Sequence, residues 1–203
     1  MPFPRFLSQC APILVLVALI TATGAQFGKL IPEQIDLLAA ALGLIALAAL
    51  IIYKKTPRWN FALLVPVALF AGGWLSRLPD SGRSWLGLVI FIAGAGLSAG
   101  LAYGARTSFG RLAGLLNPVL IVYLIGWAGI AFLKPVFWAP AAWAAVGALL
   151  FTLLSLGLLD EARASDPPAE PVPLAIDLFI TYFNLWLAGA MVARYAEVLI
   201  PLL

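Results

Sequence analysis

The sequence predicts an all-α integral membrane protein whose 203 residues form a single domain of seven transmembrane helices. Composition is the first reason, because 64% of the residues are hydrophobic and only 10% are charged, with a mean hydropathy of +1.05. A soluble domain carries about 25% charged residues, and its core could not absorb this much apolar surface. The second reason is the presence of seven apolar runs that approach the ~20 residues a helix needs to cross a bilayer.

The seven predicted spans follow one another with little chain between them. We place them at residues 10–27, 35–53, 60–78, 86–104, 113–133, 137–159 and 173–200. The segments between them are FGKLIPEQ, YKKTPRW, RLPDSGRS, GARTSFGR and LKP, most of them rich in the turn residues glycine and proline. The segment DEARASDPPAEPVP, residues 160–173, is predicted to be a long polar loop because its prolines interrupt a helix.

The N-terminal residues fit two interpretations. Arg5, the apolar run PILVLVALI and the segment ATGAQ have the order of a signal peptide with a small-residue cleavage site. A retained first span fits the same residues, and we predict that it is retained. Cys10 precedes the apolar run, which is not the position of a lipoprotein cysteine, and a lone cysteine makes no internal disulfide.

The distribution of lysine and arginine predicts a cytoplasmic N-terminus, because positively charged loops stay on the cytoplasmic side. We take the membrane to be the cytoplasmic (inner) membrane. The N-terminal side of the predicted spans carries seven of these residues: Arg5, Lys54, Lys55, Arg58, Arg106, Arg111 and Arg163. The opposite side carries four: Lys29, Arg77, Arg83 and Lys134. The basic residues read as topology anchors, so we predict membrane lipid and no nucleic acid as a partner.

Several functions are excluded by what the sequence lacks. It contains no histidine, which removes imidazole metal sites, haem ligation and most acid–base triads. The segment GLSAG, residues 96–100, matches a serine nucleophile pattern, but no span supplies a histidine or lysine base for Ser98. We interpret it as packing, because Gly96, Gly100 and Gly104 form a ridge of small residues. The last span has no lysine for a retinal Schiff base, so we predict neither an enzyme nor a cofactor.

The last predicted span carries a polar stripe. At 100° per residue, Asp177, Thr181, Asn184 and Ala188 fall on one narrow helix face. One interpretation is a seam of hydrogen bonds between helices, worth about 0.6 kcal/mol for each contact. The other is the wall of an aqueous or ion path, because ionisable residues inside membranes are usually functional.

Asp160 is the second acid that needs an explanation. It ends the sixth predicted span beside Glu161, where the negative end of the helix dipole disfavours a carboxylate. A cation, a proton or a basic residue must compensate, and Arg163, Lys54, Lys55 and Arg58 open onto the same membrane side. Because adjacent spans are antiparallel, Asp160 and Asp177 are expected at similar depth. We therefore predict that these two acids share a proton or hold a cation.

The C-terminal third of the chain resembles the Bax inhibitor-1 family, also called the transmembrane Bax-inhibitor-motif family. The resemblance rests on GALLFTLLSLGLLDEAR followed by LAIDLFITYFNLWL, and more weakly on ARTSFGRLAGLL. Members of that family have an apolar sixth span that ends in Tyr-Asp, and Asp160 matches that aspartate. Further matches to the family's seventh span are Ala175, Leu178, Phe179, Asn184, Leu185, Trp186 and Leu187.

The resemblance implies six helices around a central seventh helix, as in bacterial members described as pH-sensitive calcium leak channels. In that family a carboxylate pair between the sixth and seventh spans senses protons, and an arginine near the second and third spans acts as a latch. This implies a sensor and ion path at Asp160, Asp177, Thr181 and Asn184, a latch among Arg58, Lys54 and Lys55, and calcium as the permeant ion held by Asp160 and Asp177.

The chain also departs from the family pattern. Thr181 stands at the position of the family's sensor aspartate, and Asp177 lies one turn earlier on the same face. Leu159 replaces the family's tyrosine, and the second span has no acid in its body. Two functions therefore stay open: a proton-modulated cation leak channel, and a non-conducting protein that regulates a membrane protease or a stress or cell-death complex through its helices.

Overall fold

The computed structural model describes residues 1–30, 32, 36–76, 84–104, 109, 111–133, 138–165 and 169–199. Within these ranges the chain forms seven α-helices and no strand. The helices are α1 (Phe3–Gly28), α2 (Asp36–Tyr53), α3 (Pro57–Leu75), α4 (Ser84–Gly104), α5 (Arg111–Leu133), α6 (Trp138–Ala164) and α7 (Pro171–Leu199). The all-α fold class predicted from the sequence is confirmed for this part of the chain.

Each predicted span coincides with one helix, and the largest differences lie at helix ends. α6 continues to Ala164, so the prediction that a loop begins at residue 160 is wrong. The residues Asp-Glu-Ala-Arg-Ala contain no proline and include good helix formers, and Arg163 lies one turn from Asp160 on the same helix. Asp160 is therefore a residue of the last turns of α6 rather than a loop residue.

Four helices are long and apolar enough to cross a membrane: α1, α3, α6 and α7. Within the described residues, α2, α4 and α5 contain shorter apolar segments. We expected α7 to be the most enclosed of the helices, and this stays a prediction: among the described residues only Trp186 and Arg194 of α7 are exposed, but the most apolar stretch of α6 has the larger buried share. Half of the most apolar stretch of α6 is buried, against 39% for α7. The small and aliphatic residues of α6 pack against both α4 and α5, which accounts for the difference.

The contacts divide the chain into two compact units. The N-terminal unit consists of Phe3–Pro79 and Glu170–Phe179, which contain α1, α2, α3 and the start of α7. The C-terminal unit consists of Met1–Pro2, Asp80–Ala169 and Ile180–Leu203, which contain α4, α5, α6 and the rest of α7. Helix α7 thus contributes residues to both units.

In the N-terminal unit, α1 and α3 are in backbone contact through glycines. A Cβ atom added to Gly24 would lie 2.9 Å from the Leu69 carbonyl carbon, and one added to Gly28 would lie 2.6 Å from the Gly73 Cα. One added to Gly72 would lie 2.7 Å from the Ala25 backbone nitrogen. Close approach of this kind requires residues without a side chain. The contacts advance together along both helices, so α1 and α3 run parallel.

The glycine seam between α1 and α3 gives a stability prediction. We expect Gly72→Ala to lower the free energy of unfolding by about 2 kcal/mol, because the new methyl group would force the two backbones apart. The matched control is Gly96→Ala in α4, where an added Cβ meets no described atom within 4 Å. That change should be neutral or slightly stabilising, because alanine favours the helix. Denaturant unfolding in detergent measures both, and equal effects would contradict the seam.

In the C-terminal unit, aromatic rings join α5 to α6. Tyr123 stacks on Trp143 with ring centroids 5.8 Å apart, and it meets Phe151 edge-on at 5.6 Å. The indole N–H of Trp143 donates to the Tyr123 carbonyl oxygen at 3.1 Å, which satisfies a buried donor. The core of this unit contains the buried residues Tyr123, Leu150, Phe151, Leu154 and Leu185.

The glycine ridge of α4 does not pack as predicted. A Cβ atom added to Gly96, Gly100 or Gly104 would meet no described atom within 4 Å, so the interpretation of this ridge as a helix contact within the unit is wrong. Close contact occurs instead at Gly94, where a Cβ would lie 2.9 Å from Leu185 Cδ2. Ser98 is buried and donates to the Ala95 carbonyl oxygen at 2.9 Å.

Candidate functional site

Asp177 forms a two-bond ion pair with Lys54 in the N-terminal unit. The ammonium Nζ of Lys54 lies 2.7 Å from Oδ1 and 2.9 Å from Oδ2 of Asp177. The side chains are 27% exposed for Lys54 and 30% exposed for Asp177, so solvent screens the pair only in part. Asp177 lies nearly two turns inside α7, and Lys54 is the first residue after α2.

The chain geometry around Lys54 fixes where its side chain starts. α2 ends at Tyr53, and the Thr56 N–H donates to the Tyr53 carbonyl oxygen at 2.8 Å, which closes a tight turn before α3. Pro57 opens α3, where its fixed φ suits a first helical position. Of the three predicted latch residues, the structure therefore places Lys54 on Asp177, whereas Lys55 and Arg58 are exposed at the same turn.

The start of α7 is held in the N-terminal unit by α1 as well. The Cys10 thiol donates to the Pro171 carbonyl oxygen at 3.5 Å, and Cys10 is fully buried. Ala175, Ile176 and Leu178, which flank Asp177, are also buried. The aspartate therefore sits on an anchored helical segment whose apolar neighbours are out of solvent.

Asp160 lies in the C-terminal unit and is enclosed by different partners. Its side chain has 0% exposure, and Arg163 Nη2 lies 2.6 Å from Oδ1. The backbone N–H of Phe109 donates to Oδ2 at 2.6 Å. The arginine contact is an ion pair rather than a well-aligned hydrogen bond, and the guanidinium remains 28% exposed. Asp160 therefore links the backbone of Phe109 to the end of α6.

Positive charge at the end of α6 offsets the unfavourable interaction between the helix dipole and the Asp160 carboxylate. Arg163 lies in the last turn, where a cation favours the helix dipole and offsets the adjacent carboxylate. The amino group of Met1 donates to the carbonyl oxygen of Ala162, one of the carbonyls that lack a partner at a helix end. Burial of Asp160 is thus compensated by the Arg163 guanidinium and by the backbone N–H of Phe109.

Thr181 and Asn184, the other two predicted pathway residues, belong to the C-terminal unit. Thr181 is buried, and the Asn184 amide donates to the Ile180 carbonyl oxygen in its own helix at 2.8 Å. That bond uses one donor of the polar stripe within α7 rather than across to another helix. Tyr182, next to Thr181, is hydrogen-bonded to the side chain of Ser98 and meets Phe91 edge-on.

The structure assigns each acid a cation within its own unit. Asp177 is paired with Lys54 and Asp160 with Arg163, so a proton or cation shared by the two acids stays a prediction. Within the described ranges no group of three or more histidine, cysteine, aspartate or glutamate residues could hold a metal ion.

Nothing in the sequence indicated that Phe109 contacts Asp160. It contributes a backbone N–H, and a backbone donor leaves no trace in residue type. Phe109 belongs to the segment ARTSFGR, which had already been singled out from the sequence, and its backbone N–H contacts Asp160. In contrast, Lys54 was among the predicted latch residues, because its positive charge can compensate an acid on the same membrane side.

Comparison with known proteins adds no assignment, because no protein-family model, curated protein or solved structure matches the chain.

Proposed function

We propose that the protein is a proton-modulated cation leak channel of the Bax inhibitor-1 type, in which the Lys54–Asp177 ion pair holds the closed state. In this proposal seven transmembrane helices form one domain, six of them around α7, and calcium is a permeant ion. The observation that supports it is the two-bond ion pair between the end of α2 and a carboxylate inside α7, a helix long enough to cross a membrane.

The proposed gating follows from the charge of Asp177. When the carboxylate is ionised, its attraction to Lys54 ties the end of α2 to α7. When the carboxylate takes up a proton, that attraction is lost while Lys54 keeps its charge, and the ammonium must find water or another acceptor. If the pair exists only in the closed state, protons bind the open state more tightly, and falling pH shifts the population toward it.

Asp160 has a supporting role in this proposal. Its burial and its two partners suit an anchor that fixes the end of α6, and Asp177 has the greater solvent access expected of a group that exchanges protons. In this proposal the proton sensor is Asp177, which lies one turn before Thr181 in α7. The threonine at the family's sensor position then needs no charge of its own.

The experiment is a flux measurement with purified protein in liposomes that contain a calcium-sensitive dye. We expect calcium entry to be slow at neutral pH and to rise as the outer solution is acidified, because acid removes the ion pair. Protein-free liposomes give the background leak at each pH. Entry at the background rate at every pH would contradict the channel proposal.

One observation favours a second candidate, a non-conducting protein that regulates a membrane protease or a stress complex. Helix α4 exposes Gly96, Gly100 and Gly104 without a described neighbour, and such small-residue ridges let another helix approach closely. Failure of flux at every pH, with the protein folded, would promote this candidate.

A further inference from the structure

The turn between α2 and α3, residues 53–59, presents charged and aromatic side chains together. Its sequence is YKKTPRW, and Tyr53 and Trp59 are 48% and 57% exposed. Lys55 and Arg58 are also exposed. We call this segment the α2–α3 turn, and neither the ion pair at Lys54 nor the gating proposal uses its outer residues.

Two of the three cations of the turn have no acidic partner among the described residues. Lys54 is paired with Asp177, but Lys55 and Arg58 make no ion pair with any residue in the described part of the chain. The first turn of α3 contains no acid. Because α1 and α3 run parallel, Arg5 lies at the same end of the N-terminal unit and adds a further positive charge. Glu170, the residue immediately before α7, is an exposed acid of the same unit.

The aromatic rings mark the depth at which these charges lie. Tyr53 and Trp59 have ring centroids 6.5 Å apart and are tilted by 44°, so they form a small exposed aromatic pair beside the cations. Tyrosine and tryptophan are enriched at the headgroup level of membranes because their rings are apolar and their tips are polar. Both rings border a turn between two apolar helices, one of which is long enough to span a bilayer.

The α2–α3 turn also carries a hydroxyl group that can donate a hydrogen bond. Thr56 precedes α3 in an extended conformation, and its hydroxyl makes no capping bond to the helix. That hydroxyl lies between Lys55 and Arg58 in sequence. The turn thus exposes an ammonium, a guanidinium and a hydroxyl within four consecutive residues, and ammonium and guanidinium groups bind phosphate oxygens through charge-assisted hydrogen bonds.

We infer that the α2–α3 turn binds the phosphate headgroup of an anionic phospholipid. A lipid fits better than a soluble anion because the rings beside the cations are about half exposed in the described structure, and the acyl region of a bound lipid gives them apolar cover. Positive charge next to a membrane-spanning helix attracts anionic lipid, and the attraction grows with each cation.

Native mass spectrometry of the purified full chain tests this inference with phosphatidylglycerol and phosphatidylcholine of identical acyl chains. We expect the wild type to retain phosphatidylglycerol in preference. The double variant Lys55→Gln with Arg58→Gln should lose that preference by about 25-fold, which is roughly fivefold for each cation removed. The matched control is Lys29→Gln, an exposed lysine at the other end of α1, which should retain the full preference.

Two further measurements separate loss of charge from loss of folding, and a bound lipid from a bound soluble phosphate. The exchange variant Lys55→Arg with Arg58→Lys keeps both charges and should keep the preference, which separates loss of charge from loss of folding. Adding soluble glycerol phosphate should leave the bound lipid in place. Equal retention of the two lipids by the wild type, an unchanged preference in the double glutamine variant, or displacement by glycerol phosphate would each overturn the inference.

Discussion

Cation flux through the Asp177→Asn variant is expected to be high and independent of pH. Asparagine has nearly the shape of a protonated aspartate but cannot take up or release a proton, so the variant should behave at neutral pH as the wild type does in acid. The contact with Lys54 would lose its ionic part and keep at most a neutral hydrogen bond. We expect calcium entry at neutral pH to rise about tenfold, within the usual range of coupling between two states.

The partner residue gives an independent check on the same pair. Lys54→Gln should also raise flux at neutral pH, because Asp177 then lacks the cation that ties it to the end of α2. Lys29→Gln removes a lysine from the same unit without touching the pair, and its flux should follow that of the wild type at every pH. Reconstitution in vesicles of zwitterionic lipid keeps these measurements independent of any bound anionic lipid.

Three outcomes would contradict a gating role for the Lys54–Asp177 ion pair. Flux that still rises with acid in Asp177→Asn would show that another group senses protons, and Asp160 would be the next candidate. If Lys54→Gln and Asp177→Asn both leave flux at the wild-type level, the pair is a structural contact. If they change only the free energy of unfolding and no variant conducts, the channel proposal itself fails.

The second large effect concerns stability and Asp160. Asp160→Ala should lower the free energy of unfolding by about 3 kcal/mol, because it leaves the Phe109 N–H without this acceptor and removes the carboxylate that offsets Arg163. This is the low end of the range for a broken buried pair, since the guanidinium is 28% exposed and can reach water. Denaturant unfolding of the purified protein in detergent provides the measurement.

Neighbouring substitutions separate charge from hydrogen bonding at this position. Asp160→Asn keeps an acceptor for Phe109 and should cost less than Asp160→Ala, at about 1 kcal/mol. Glu161→Ala is the matched control, because Glu161 is adjacent but exposed and should change stability by no more than about 0.5 kcal/mol. Equal losses for Asp160→Ala and Glu161→Ala would mean that the burial of Asp160 contributes nothing to the fold.

The helices themselves could be predicted from the sequence because their determinants are local. The length of each apolar run indicates the length of a helix, and polar residues with prolines and glycines separate the runs, although Pro12, Pro66 and Pro118 lie inside helices. The predicted and observed bounds of α2 and α5 differ by no more than two residues at either end. The prediction erred at the start of α1, which begins at Phe3 rather than at residue 10, and at the end of α6, where the residues Asp160 to Ala164 are mostly polar or small but still suited to a helix.

The sequence also identified the two acids that need partners, since a carboxylate is costly within a membrane-spanning helix or at its C-terminal end whatever surrounds it. It could not identify the partners. Lys54 and Asp177 are 123 residues apart in the chain, and Phe109 and Asp160 are 51 apart. Three cations near the α2–α3 turn are equivalent by composition, and only the packing of α2 and α7 decides that Lys54 is the one in reach.

The spacing of glycines in the sequence likewise did not predict which of them lie in helix contacts. The spacing of Gly96, Gly100 and Gly104 predicted a packed ridge, yet the described structure leaves those positions open. Backbone contact occurs instead between Gly24 and Gly28 of α1 and Gly72 and Gly73 of α3. The sequence by itself determined that this chain forms apolar helices with small-residue faces and two costly acids. Only the tertiary structure decided which faces meet and which cation each acid binds, because those contacts depend on how distant segments pack and not on local composition.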